Sequence, residues 1–142
     1  MKKKFSTVPY QIKIIKPWGY EVILTPPNWP VTGKILHLAD GKRCSLQYHD
    51  AKKETLILFS GEAFIILENQ KGKLEKIKMK KNQGYSIKLF QKHRLKGIKN
   101  CLILEVSTPE KGRTVRLADD YSRPTETPRS RKKRKAGQLY LG

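Results

Sequence analysis

The middle of the chain alternates between apolar and polar positions. From residue 19 to residue 107, short apolar runs are broken by turn residues at intervals of about eight to twelve positions. Side chains two apart on a strand share a face, so this rhythm predicts half-buried strands rather than helices. The run "YEVILT" is stopped by "PPNWP", which neither a helix nor a central strand tolerates. "TGKILHLAD" is followed by a turn at Asp40-Gly41 and then by "KRCSLQYH". "TLILFS" enters Gly61 and "EAFIILE" leaves it, which predicts a hairpin. After "NQKGK" come "LEKIKMK", a turn at Asn82 to Gly84, and the strands "YSIKLF", "HRLKGI" and "CLILEVS". No helical period precedes Pro109, and no segment repeats. Short strands at even spacing predict an all-β sandwich or barrel.

Beyond residue 122 the alternation is replaced by prolines, hydroxyls and a basic run. The chain therefore divides into an N-terminal arm (1–14), a barrel (15–122) and a disordered basic tail (123–142). Six of the seven residues from Arg129 to Lys135 are basic, so the tail has the charge to touch nucleic acid. A solvated, solubilising tail is the favoured reading. The closing "GQLYLG" is apolar enough to dock, for instance on a neighbouring subunit.

The formal net charge is +19 over 142 residues, and the tail holds seven Lys/Arg against one acid. The surplus is therefore spread over the barrel as well. Such a field attracts polyanions or an anionic substrate, but does not choose a fold or reaction. The segment "KGKLEKIKMKKNQ" reads as a lysine-rich solvated surface. No apolar run reaches the ~18–20 residues of a membrane span, and the basic start lacks the apolar core of a signal peptide. Cys44 and Cys101 fall in expected strands and read as buried free thiols, which suits a cytoplasmic protein.

Four side chains able to bind a metal stand out. Gln47 and His49 are two apart, and so lie side by side on one wall of a strand. Glu54 has the opposite parity and joins them only if the chain turns near "DAKK". A closed sheet can bring His93 to the same point from a distant strand. Imidazole and carboxylate suit Zn, Mn, Co or Fe, with the Gln47 amide oxygen a weak neutral ligand.

The stretch "GKRCSLQYHDAKKETLILFSGEA" resembles the first motif of the cupins, with its glycine, ligands, acid and closing glycine. "KPWGYE" near the start, with "ILEVSTPE" and "VRLADDYSR" near the end, narrows the likeness. Together they are similar to the cupin module of type II mannose-6-phosphate isomerases, the part that follows the nucleotidyltransferase domain in bifunctional mannose-1-phosphate guanylyltransferases. The resemblance covers about 15–123. No glycine-rich nucleotide-binding segment precedes it here, so guanylyltransferase activity is not expected. Three positions depart from the pattern. Lys88 and Phe90 stand where the second motif has proline and glycine, and Ser122 stands where glycine is usual.

The resemblance implies a cupin double-stranded β-helix, or jelly-roll barrel, with a divalent metal in its mouth held by Gln47, His49, Glu54 and His93. Zinc is the first choice, with Mn, Co or Fe also suited. It implies a metal-dependent aldose–ketose isomerase acting on a sugar phosphate, and a homodimer. Arg43 and Ser45 share the parity of Gln47 and His49, and Lys34 matches a lysine of the family pattern. Arg116 and Arg123 are further candidates to bind phosphate near the mouth. Two plainer readings compete: Arg43 and Lys34 turned to solvent, and Arg116 paired with Asp119 or Asp120. The base is Lys34, provided burial lowers its pKa, or Glu105, provided its parity points inward. Two other functions remain open. One is a non-haem iron cupin dioxygenase, which predicts a mostly apolar pocket. The other is a non-catalytic sugar-binding module.

Overall fold

The computed structural model describes residues 2–137, with side chains as far as Lys133. Among the described residues nine strands form one curled antiparallel sheet: β1 (Ile12–Lys16), β2 (Gly19–Ile23), β3 (Thr32–Leu38), β4 (Leu46–His49), β5 (Glu54–Glu68), β6 (Leu74–Lys78), β7 (Gly84–Ile87), β8 (His93–Ser107) and β9 (Thr114–Ala118). A helix, α1 (Pro128–Gly137), follows. The strand order is β1-β2-β3-β8-β4-β9, and β5 joins β6, β7 and β8. This is the all-β class read from the alternation and the jelly-roll barrel that the resemblance implied. Among the described residues no helix is long and apolar enough to cross a membrane.

The spine is the β5–β8 ladder, two 15-residue strands in register from Glu54↔Ser107 to Leu67↔His93. The hairpin expected at Gly61 is not there, and "HRLKGI" with "CLILEVS" is one strand rather than two. The chain bends at Gly61 without reversing. The register shifts between Leu58 and Ala63, and Gly61 adopts φ 79° opposite Asn100 at φ 47°. A Cβ on Gly61 would run into the Lys99 and Asn100 carbonyls, so glycine is required for this bulge. Bending the ladder brings its ends together: Glu54 Oε1 lies 2.9 Å from His93 Nε2.

Parity then fills the lumen. The inward positions are Lys34, Leu36 and Leu38 on β3, Glu54, Leu56 and Leu58 on β5, and Glu105, Ile103 and Cys101 on β8; all are buried. Register aligns Lys34 with Glu105, Leu36 with Ile103 and Leu38 with Cys101. One end of the lumen is therefore apolar, completed by Trp18, Ala63, Ile65, Met79, Ile87 and Leu95. The other end carries the charges. His37 has the opposite parity and stacks on Tyr20 at 4.9 Å, away from the site.

Three boundaries differ from the sequence reading. The first strand begins at Ile12, inside the stretch assigned to the arm, because Ile12–Lys16 pairs with β2. Cys44 lies between strands, while Cys101 is buried in β8, and both are free thiols. The segment after residue 122, expected to be a disordered tail, is anchored as far as Lys133. Thr114 and Glu126 form a β-bridge, and Thr127 caps α1 with Pro128 at its first position. Ser130 N bonds to Thr127 Oγ1 at 3.1 Å and Thr127 N to Ser130 Oγ at 2.8 Å, a reciprocal cap. Arg131 is buried among Glu126, Glu110 and Gly112. Most of "GQLYLG" lies outside the described residues.

Candidate metal centre

Three strands converge at the charged end of the lumen. Gln47 and His49 come from β4, Glu54 from the first residue of β5 after the turn at 50–53, and His93 from the first residue of β8. Ligating atoms of His49, Glu54 and His93 lie within 4.8 Å of one another, and all three residues are buried. Gln47 joins them through its amide nitrogen, 3.5 Å from His93 Nε2. Its amide oxygen instead accepts the Ser45 hydroxyl at 2.7 Å, so Gln47 would have to turn over to offer oxygen to an ion.

The donor set fits a divalent metal. His93 Nδ1 lies 2.9 Å from the Gln91 carbonyl, which can only accept, so the proton sits there and Nε2 carries a lone pair. That lone pair faces Glu54 Oε1 at 2.9 Å. His49 Nδ1 bonds the Thr114 hydroxyl at 2.9 Å. Its Nε2 is buried without a hydrogen-bond partner, 3.3 Å from the same Glu54 oxygen. Two imidazole nitrogens and a carboxylate oxygen thus point at one another and need a positive charge between them, a proton or a metal ion. Thr114 and Gln91 are orienting residues that the sequence reading missed.

Around this centre lies a layer of paired charges. Lys52 Nζ contacts Glu105 Oε2 at 3.0 Å, Glu110 Oε1 at 3.2 Å and Glu54 Oε2 at 3.3 Å. Lys34 Nζ contacts Glu110 Oε1 at 2.7 Å and Glu21 Oε2 at 3.6 Å. Burial works against the Lys52 ammonium, but Glu105, Glu110 and Glu54 outweigh it and hold its pKa well above the ordinary lysine value. The same balance, led by Glu110, raises Lys34. Burial also opposes the Glu54 carboxylate, yet Lys52 and the two imidazoles hold it well below the usual carboxylate range. Glu110 is held low by Lys34 and Lys52 against the same burial. Glu105 goes the other way: burial dominates and raises its pKa.

The candidates for substrate and catalysis are sorted by these contacts. Glu105 points inward, as its parity required. Lys34 points inward too, but the condition for its acting as a base is not met, since its carboxylate neighbours keep it protonated. Arg43 does not face the cavity. Strand β4 begins only at Leu46, and the register shifts between Leu46 and Gln47, so parity does not carry back to Arg43. Arg43 instead forms an exposed bidentate pair with Asp120 at 2.6 and 2.8 Å. Arg116 and Arg123 do line the cavity. Arg116 donates to the Pro124 carbonyl at 2.7 Å, lies 3.5 Å from Glu126, and acts on Asp119 through its charge. Arg123 forms a bidentate pair with Asp119 at 3.0 Å on both arms. Each cation foreseen for phosphate already has a carboxylate. The cavity itself is about 90 Å³ and charged along most of its lining. Cys44 lines it as well, its thiol pushed up to about 12 by burial.

The two positions where the family pattern has glycine both fall at left-handed backbone. Phe90 has φ 64° and Ser122 has φ 55°, where glycine would be unstrained. At Phe90 the backbone N–H donates to the His49 carbonyl at 2.8 Å, and the ring packs 5.9 Å from Tyr48. The turn before His93 is therefore built without glycine and tied to the strand carrying the other imidazole.

No protein-family profile matches the sequence, and no curated protein matches it. Solved structures do. An oxalate decarboxylase from Lactobacillus farciminis, in a formate complex, is similar over 89% of this chain and 38% of its own, at TM-score 0.63 and 15% identity. KdgF from Halomonas sp. is similar over 72% of this chain and 90% of its own, at TM-score 0.60 and 12% identity. CapF, solved with the inhibitor 3-isopropenyl-tropolone, is similar over 83% and 34%, at TM-score 0.62 and 10% identity. The chain thus spans about a third of the decarboxylase and CapF chains and most of KdgF. At these identities the likeness shows the fold, and the fold is the cupin β-barrel.

Proposed function

We propose that this chain is a metal-dependent enzyme of the aldose–ketose isomerase type. The carrying observation is the convergence of His49, Glu54 and His93 on one point beside a buried carboxylate, Glu105. Gln47, His49, Glu54 and His93 would hold the ion. A divalent ion there supplies Lewis-acid polarisation of a carbonyl and its neighbouring hydroxyl. Glu105 is the group placed to move a proton between the two adjacent carbons, through a cis-enediol. Its raised pKa brings it closer to the working pH of a general base. Lys52 Nζ lies 3.0 Å from Glu105 Oε2 and orients the carboxylate. Zinc, manganese or cobalt suits this donor set.

The sequence resemblance favours mannose 6-phosphate as substrate. The pairing of Lys34, Arg116 and Arg123 with carboxylates favours a sugar whose reacting end alone enters the cavity, whether or not it carries phosphate. The dioxygenase reading called for a mostly apolar pocket, and the charged lining counts against it. Incubation of metal-loaded protein with mannose 6-phosphate or mannose in D2O tests the proposal. Expected are formation of the ketose and deuterium at the carbon next to the carbonyl, both lost in Glu105→Gln. Absence of exchange on every aldose by stoichiometrically loaded protein would sink the isomerase and leave a binding module.

A further inference from the structure

The charges around the metal centre form a chain that runs out to the C-terminal helix. Among the described side chains of the basic run, Arg131 is the one that is buried; Arg129, Lys132 and Lys133 are exposed. Its Nε lies 2.6 Å from Glu126 Oε1 and 3.7 Å from Glu110 Oε2, and its Nη2 donates to the Gly112 carbonyl at 3.1 Å. The other oxygen of Glu110 takes Lys34 and Lys52. Lys52 goes on to Glu54 Oε2, and Glu54 Oε1 faces both imidazoles. Both Glu110 and Glu54 therefore use one oxygen toward the surface and the other toward the centre.

We propose that α1 is a working part of the metal centre, with Lys52 and Arg131 as positioning residues that fix how Glu54 presents its oxygen. The proposal rests on the metal reading above. A free carboxylate can offer an ion one oxygen or two. With Lys52 on Oε2, only Oε1 is left for the point between His49 and His93. Lysine is a flexible side chain, and here its place is set by Glu105 and Glu110. Glu105 is held in the β8 ladder. Glu110 stands in the segment between β8 and β9, with no ladder of its own. Arg131 clamps it from the outer side, and Gly112 of the same segment accepts the second arm of the guanidinium. Composition made this arginine look like one more solvated charge.

Titration of the full chain with cobalt(II) or zinc against a competing chelator tests the proposal. The variants are Lys52→Met, Arg131→Gln, Arg131→Lys and, as a control, Lys78→Ala, which removes an exposed pair with Glu62. Lys52→Met is expected to weaken the Kd by about 10–100-fold, the usual cost of losing a partner of a ligand. Arg131→Gln, one pair further out, should weaken it by roughly 3–10-fold, with part recovered in Arg131→Lys. The cobalt absorption should lose intensity in both Met and Gln variants, as Glu54 becomes free to offer two oxygens. Should Lys52→Met fail to fold, Arg131→Gln carries the test alone, since Arg131 bonds Glu126, Glu110 and Gly112 and touches no ligand. A wild-type Kd and spectrum in Arg131→Gln would overturn the proposal while leaving the metal centre standing. Equal weakening in Lys78→Ala would overturn it too, by showing a general loss of stability. Wild-type protein that takes up no metal would remove the centre and the proposal together.

Discussion

The two ends of the barrel lumen are built on the same three strands and follow opposite physics. Along β3, β5 and β8 the first inward position at one end is Lys34, Glu54 and Glu105, and the next two are Leu36 and Leu38, Leu56 and Leu58, Ile103 and Cys101. The apolar end is held by burial, which is non-directional and insensitive to pH. The charged end has desolvated its ions and is held only as long as each finds its partner. The difference teaches how a small barrel keeps a reactive mouth. The apolar half carries the stability, and the polar half uses ion pairs to fix geometry.

Breaking the charged end should cost most. Lys34→Met takes one lysine from Glu110 and Glu21, which keep Lys52 and Lys16, and loss of one partner of a buried pair costs about 3–5 kcal/mol at neutral pH. Denaturant unfolding at several pH values would read this. Glu110 and Glu54 have folded pKa values below the unfolded value of about 4.3, so their contribution is complete above that pH and is lost as pH falls through the folded pKa. Lys34 is raised, so its contribution is complete below the unfolded lysine pKa and is lost as pH climbs through the folded one. Glu105, also raised, favours folding in acid and opposes it as pH rises through its folded pKa. The deficit of Lys34→Met should therefore shrink below about pH 4 as these carboxylates protonate. A deficit constant with pH would mean that packing, not charge, holds this end.

Breaking the apolar end should cost slightly less and show no such pH dependence. Ile103→Ala removes a fully buried side chain and should destabilise by about 2–5 kcal/mol at every pH in that series. The smallest effect sharpens the comparison at the rim. Ser122→Gly relieves a left-handed residue worth about 1–2 kcal/mol, less the flexibility glycine adds, and should raise stability by up to about 1 kcal/mol. Thermal unfolding would read it; a loss of stability would mean that the Ser122 conformation is not strained.

Much of this was legible in the sequence, and what escaped has a common cause. Parity along a strand is local, so "SLQYH" announced that Gln47 and His49 share a wall, and "KILHL" and "CLILE" that Lys34 and Glu105 do so with leucine or isoleucine behind them. Whether a glycine reverses a strand or bends it depends on what lies opposite. Asn100 and Lys99 decided that for Gly61 from some forty residues away. Lys52 stands in a turn, where no periodicity speaks, and Arg131 stands in a charge run. Thr127-Pro128 with Ser130 was a readable helix start within the supposed tail. The inward parity of Glu105 and Glu54 also meant that buried cations had to come from somewhere.

The bent β5–β8 ladder also bears on when the site comes into being. It pairs strands far apart in sequence, from Leu67↔His93 out to Glu54↔Ser107, and such non-local pairing is the slow part of folding a β protein. The same ladder carries Glu54, His93 and Glu105. Zipping it from Leu67↔His93 to Glu54↔Ser107, around the Gly61 bend, is what brings the ligating atoms within reach of each other. Metal capture should accordingly follow the rate-limiting step: added ion would slow unfolding while leaving the refolding rate unchanged.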